Sequence, residues 1–131
     1  MILRLLALLV AAALAGCWQS NVGRSYYPNG NLRTEATVKN NVVDGPATMY
    51  YEDGKKMSEA NYKDGVLDGK SVSYYPNGKM RAEAGFKGGV LHGTSTSWSE
   101  SGAVQHSVVF EDGRLVTPEG GKAEPPKAGA Q

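Results

Sequence analysis

Apolar and polar residues alternate along much of this chain. Leu32, Thr34, Ala36 and Val38 fall on one side of a two-residue period, with Arg33, Glu35 and Thr37 on the other. Met80, Ala82, Ala84 and Phe86 oppose Arg81 and Glu83 in the same manner. Lys56, Ser58, Ala60 and Tyr62 give a weaker version. Successive side chains of a strand point to opposite faces, so this period predicts half-buried β-strands. No segment shows a convincing helical period.

The pattern is repeated. Gly30, Gly54, Gly78 and Gly102 stand 24 residues apart, and four repeats run 26–49, 50–73, 74–97 and 98–116, beginning at Tyr26, Tyr50, Tyr74 and Trp98. Each holds two turn signals. The first is Tyr27-Pro28-Asn29-Gly30 and its equivalents, where proline presets the second position of a type I turn and glycine supplies positive φ. The second is Asn40-Asn41, Asp64-Gly65, Gly88-Gly89 and Asp112-Gly113, dipeptides suited to a two-residue type I′ hairpin. Nine residues separate one turn from the next. The expected fold is all-β, an elongated single antiparallel meander sheet built from four hairpin repeats, with about seven or eight strands.

The I′ turns set a register in which Val38 faces Val43, Tyr62 faces Leu67, Phe86 faces Leu91 and Phe110 faces Leu115. These pairs should form an apolar spine that carries stability. Next along, Ala36 should face Gly45, Ala60 face Gly69 and Ala84 face Gly93, unless those glycines are bulges that shift the pairing beyond them. On the opposite face Glu35, Glu59 and Glu83 recur, with Glu59 expected across from Lys70. Tyr50, Tyr74 and Trp98 should share that face, opposite Lys55 and Lys79. Two readings of this row stand: rings packed over the hairpin ends, or a ladder of aromatic platforms with Glu59 and Glu83 beside it, suited to an elongated protein or glycan partner.

The ends differ from the middle. Arg4 precedes an unbroken apolar run from Leu5 to Leu14, followed by Leu14-Ala15-Gly16-Cys17. A basic start, a short apolar run and small residues before a cut are the features of a secretory signal, here 1–16. The run is too short to span a bilayer. Leu14 to Cys17 resembles the lipobox of bacterial lipoproteins. That resemblance implies cleavage before Cys17, lipid on its thiol and acylation of the new amine, so that the membrane is a partner through Cys17. Several acyl chains on one residue would satisfy the two-signal requirement for stable anchoring. The same resemblance implies, with Trp18 in place of an aspartate after the cysteine, the outer membrane, facing the periplasm, over the inner one where the cell has both, and the outer face of the only membrane in a Gram-positive cell. Residues 17–25 read as lipidated cysteine and tether. Residues 117–131, rich in Pro, Gly and Ala, read as a disordered tail.

Charge and chemistry narrow the function. The chain has 14 basic and 13 acidic residues, and loss of Arg4 with the signal balances them. Charges of both signs alternate, so nucleic acid is not an expected partner. Cys17 is the single cysteine, which rules out an internal disulfide or a cysteine metal cluster. His92 takes the repeat position of Asp44 and Asp68, and His106 that of Thr34, Ser58 and Ala82. Neither has a metal ligand at useful spacing. Glu35, Glu59 and Glu83 stand two strands apart, about 9–10 Å, near the separation of inverting glycosidase carboxylates, but nothing forms a cleft around them, so a solvated charge ladder is expected in place of acid–base work. The glycines mark turns and do not form a phosphate loop. No catalytic activity and no cofactor are expected.

The segments YYPNG, GKMRAE, YKDG and VLDGK resemble the bacterial variant of the MORN repeat, over roughly Tyr26 to Val116. The resemblance implies a curved antiparallel sheet without catalytic residues. Members are often labelled antitoxin components of toxin–antitoxin systems. Two functions therefore stand: a binding or scaffolding module in the envelope, and a neutralising partner for a toxin.

Overall fold

The structure is a computed structural model that describes residues 21–116. The expected signal, Cys17 and the expected tail lie outside the described residues. Among the described residues nine strands succeed one another: β1 Asn21–Tyr26, β2 Leu32–Lys39, β3 Val42–Tyr50, β4 Lys56–Lys63, β5 Val66–Tyr74, β6 Met80–Lys87, β7 Val90–Trp98, β8 Val104–Glu111 and β9 Arg114–Val116. They form one open antiparallel sheet in chain order, the expected meander.

Both turn types form as their residues require. In the first repeat the Gly30 amide donates to the Tyr27 carbonyl at 2.9 Å, and the Tyr27 amide donates to the Asn31 carbonyl at 2.8 Å. Gly30 has φ +88°. This is a type I turn closed by a glycine bulge. The Asn29 side chain adds a bond from the Asn31 amide at 2.9 Å. At the other end of each hairpin, Asn40 and Asn41 have φ of 52° and 62°, and Asp64 and Gly65 have 48° and 81°. Positive φ at both central residues defines the type I′ turn.

The register agrees with expectation close to these turns and departs beyond them. Val38 pairs with Val43, Tyr62 with Leu67, Phe86 with Leu91 and Phe110 with Leu115. Ala36, however, pairs with Ala47, Ala60 with Ser71 and Ala84 with Ser95, not with Gly45, Gly69 and Gly93. The cause is a bulge at each glycine. Gly45 has φ +125°, a conformation that lets the return strand buckle and absorb extra residues. The offset is two residues, so the alternation of faces survives it.

Residues 21–25, expected as tether, belong to β1. Asn21 pairs with Val38 and Gly23 with Ala36, as Gly45 pairs with Tyr62 and Ala47 with Ala60 one repeat later. β1 is therefore the second half of a return strand.

Burial also differs from expectation. The spine residues Val38, Tyr62, Leu67, Phe86 and Leu91 are only half-buried. The most covered side chains are Val72, 7% exposed, and Thr96, 6%. Both lie on the opposite face: Val72 pairs with Glu59 and Glu83, and Thr96 with Glu83. A single layer leaves large side chains at its surface, while short ones in the middle of a strand are roofed by longer neighbours.

Backbone and side-chain bonds tie each repeat to the next. The amides of Gly65, Gly89 and Gly113 donate to the carbonyls of Val43, Leu67 and Leu91, all at 2.8 Å. The contact is tight: a Cβ on Gly89 would lie 2.7 Å from Val66 Cγ1. At the other end of the strands, the hydroxyls of Tyr27, Tyr51 and Tyr75 donate to the carbonyls of Tyr50, Tyr74 and Trp98 at 2.8, 2.7 and 2.8 Å.

Candidate binding face

Tyr50, Tyr74 and Trp98 end the return strands β3, β5 and β7, and all three are half-buried. Each strand breaks register just before its ring. Tyr50 pairs with Lys56, Tyr74 with Met80 and Trp98 with Val104, so the expected pairing with Lys55 and Lys79 is corrected by one residue. Lys55 instead forms an ion pair with Asp53 at 3.2 Å, and Lys79 donates to the Ser101 carbonyl at 3.0 Å. The repeat spacing puts the rings two strands apart, about 9–10 Å.

Glu35, Glu59 and Glu83 lie toward the middle of β2, β4 and β6. The Tyr74 hydroxyl donates to the Glu59 carboxylate at 2.5 Å, which places rings and carboxylates on one face. The expected Glu59–Lys70 pair does not form. The bulge at Gly69 brings Val72 opposite Glu59, and Lys70 reaches Glu83 at 2.9 Å. Glu59 pairs with Lys56 at 2.9 Å, and Glu35 with Arg24 at 3.0 Å. Every carboxylate in the row therefore has a cation. Such exposed pairs add little stability each, but they neutralise the row.

The bond to Glu59, followed by burial, pushes the Tyr74 phenol up to about 12. The same bond, followed by that from Lys56, holds the Glu59 carboxyl below the usual carboxylate range. A hydrogen bond to the charged carboxylate favours that form and opposes ionisation of the donor.

The second tyrosine of each pair does not stand out in the sequence. Tyr27, Tyr51 and Tyr75 fix the carbonyl of the ring residue one repeat on, across 23 positions. Arg33 also lies over the Tyr27 ring, 5.8 Å from its centre. The doubled YY in three repeats is the available signal, and it lapses at Trp98-Ser99.

Among the described residues no group of three or more His, Cys, Asp or Glu could hold a metal ion. His92 Nδ1 lies 3.6 Å from an Asp112 carboxylate oxygen, and His106 pairs with Ser97 on β7. A shallow depression lined by Thr48, Glu59, Lys70 and Val72 interrupts the sheet surface.

A family model described as MORN repeat variant matches residues 21–40, 43–64 and 67–87. Residues 21–87 are built of MORN-variant repeats. Each matched stretch of this MORN domain takes a return strand, the first turn and the outgoing strand after it, which explains why the match begins in β1. Each also contains one glutamate of the row and a tyrosine at the equivalent strand end: Tyr26 and Glu35, Tyr50 and Glu59, Tyr74 and Glu83, of which Tyr26 is exposed and outside the candidate row. The fourth copy lies outside the match and has Ser107 where the glutamate would stand. No curated protein and no solved structure matches the chain. Among the described residues no helix is long and apolar enough to cross a membrane.

Proposed function

We propose that this chain is a lipid-anchored protein of the cell envelope, in the outer membrane and facing the periplasm, that acts without catalysis as a binding or scaffolding module. Cys17 holds it to the bilayer. The MORN sheet holds an extended partner along Tyr50, Tyr74 and Trp98, with Glu59 and Glu83 supplying polar contacts beside the rings. One observation carries this reading: an open sheet face bears a row of half-buried rings and a parallel row of neutralised carboxylates at the same spacing. A periodic surface favours a partner that is itself extended.

Crosslinking in cells tests it. The tagged protein should capture a defined partner, and changing Tyr50, Tyr74 and Trp98 together to serine should abolish capture while the strand-type circular dichroism spectrum is kept. Capture that survives this change places the partner elsewhere. Capture of a toxin encoded beside the gene would turn the same face to neutralisation instead.

A further inference from the structure

We infer that the aromatic row is a binding site for a single β-1,4-linked glycan chain, of the kind from which cell walls are built. This rests on the proposed role of the row as the partner-binding face and names the chemistry of the partner.

The first argument is pitch. Tyr50, Tyr74 and Trp98 occupy equivalent positions on β3, β5 and β7, so successive rings stand about 9–10 Å apart. In a β-1,4-linked chain each sugar is turned over relative to the last, and the disaccharide is the unit of repeat. Its length is close to the spacing of these rings. Every second sugar can therefore lay the same C–H face on successive rings. An α-1,6-linked chain, with a third rotatable bond in each linkage, has no fixed repeat to match the rings.

The second argument is polarity. Arg24, Lys56 and Lys70 already neutralise Glu35, Glu59 and Glu83. A basic peptide would have to break these pairs, and a polyanion would meet carboxylates. Sugar hydroxyls need neither change. They can donate to the free lone pairs of the carboxylates, while the ammonium groups of Lys56 and Lys70 donate to sugar oxygens.

The third argument is order. The Tyr74 hydroxyl is tied to Glu59, and the carbonyls of all three ring residues are held by Tyr27, Tyr51 and Tyr75. Platforms held in place cost little entropy on binding. Because sheets twist from strand to strand, the chain must wind with the rings. A single soluble strand can do so, and the flat face of a crystalline polymer cannot.

The test is calorimetric titration of the detergent-solubilised full chain with chito-oligosaccharides of two, four and six sugars, with cello-oligosaccharides and α-1,6-linked dextran fragments alongside. Affinity should rise with each added disaccharide until all three rings are spanned. Binding by cello-oligosaccharides with the same length dependence would show that the backbone is read without its acetamido groups, and supports the inference. Each single change Tyr50→Leu, Tyr74→Leu or Trp98→Leu should weaken the six-sugar chain by about two- to tenfold, whereas Tyr50→Phe should bind as the parent does. Equal binding of dextran, unchanged affinity in the leucine variants, or no binding of any β-1,4 chain overturns the inference. If no glycan binds but crosslinked capture is still lost when the rings are changed to serine, the binding face stands and its glycan chemistry falls.

Discussion

The Tyr51 hydroxyl donates to the Tyr74 carbonyl at 2.7 Å. It joins two repeats at the end of the strands remote from the I′ hairpins, and the acceptor belongs to a residue of the candidate binding row. Losing that hydroxyl leaves a carbonyl without its partner. Tyr51→Phe should lower unfolding free energy by about 0.5–1.5 kcal/mol in urea titration, and it should also loosen the Tyr74 ring. A variant as stable as the parent would show that the bond contributes nothing net.

Gly85 is a second junction. A Cβ there would clash with the His92 carbonyl oxygen, which is backbone and cannot swing aside. Gly85→Ala should cost about 1–3 kcal/mol through overpacking. Gly54 gives the contrast: its Cβ would meet nothing within 4 Å, but φ is +87°. Gly54→Ala should therefore cost about 1–2 kcal/mol through left-handed strain alone. Crystal structures of the two variants should show a displaced β7 bulge for the first and an unmoved neighbourhood for the second.

The Tyr74–Glu59 bond makes stability depend on pH at both ends of the scale. The Glu59 carboxyl is depressed on folding, so its contribution is present above the unfolded carboxylate value and is lost as pH falls through the folded one. The Tyr74 phenol rises from 10.0 to about 12, so its contribution is whole below the unfolded value and fades as pH climbs through that higher range. Ultraviolet titration of phenolate should find Tyr74 ionising late, and Glu59→Gln should bring it back toward its ordinary value. A late tyrosine that persists in Glu59→Gln would assign the shift to burial.

Phe86 tests whether the sheet is a single layer. A fully buried phenylalanine changed to alanine costs about 3–5 kcal/mol. The ring here is half-buried, so Phe86→Ala should cost about 1–3 kcal/mol. A measured loss above that range would mean that something covers the spine in solution.

Cys17→Ser tests the anchor. The protein should move from the membrane fraction to a soluble or uncleaved form. Normal cleavage with unchanged membrane partition would remove lipidation from the account.

The sequence exposes the fold well because its punctuation is strong. Asn29-Gly30 and Asp64-Gly65 specify their turns almost without tertiary help, and two turn types at fixed spacing leave a meander as the natural solution. Pairings next to the I′ turns, such as Phe86 with Leu91, come directly from them. Pairings beyond Gly45 and Gly69 do not, because a bulge depends on how a glycine responds to the strands on either side. That single uncertainty moves Lys70 from Glu59 to Glu83. The buried row is hidden for a related reason. Val72 and Thr96 do not stand out by hydrophobicity, and their cover comes from neighbours across the ladder. β1 is hidden because Val22-Gly23-Arg24-Ser25 lacks alternation, although it occupies the positions of Pro46 to Met49 one repeat earlier. The ring row is legible in the sequence, whereas the tyrosines that hold it need the hydroxyl geometry.

The repeated register has a consequence for how such a molecule can change length. Gly45 meets Tyr62, Gly69 meets Phe86 and Gly93 meets Phe110, so the junction between neighbouring repeats is the same each time. Excising residues 50–73 as one block would join Met49 to Tyr74 at an equivalent point of the lattice, with no new turn and no change of face. Duplication of the same block would be equally seamless. Reach thus changes in whole steps: each added block lengthens the sheet by one hairpin and the ring row by one platform, through junctions of a kind the sheet already contains.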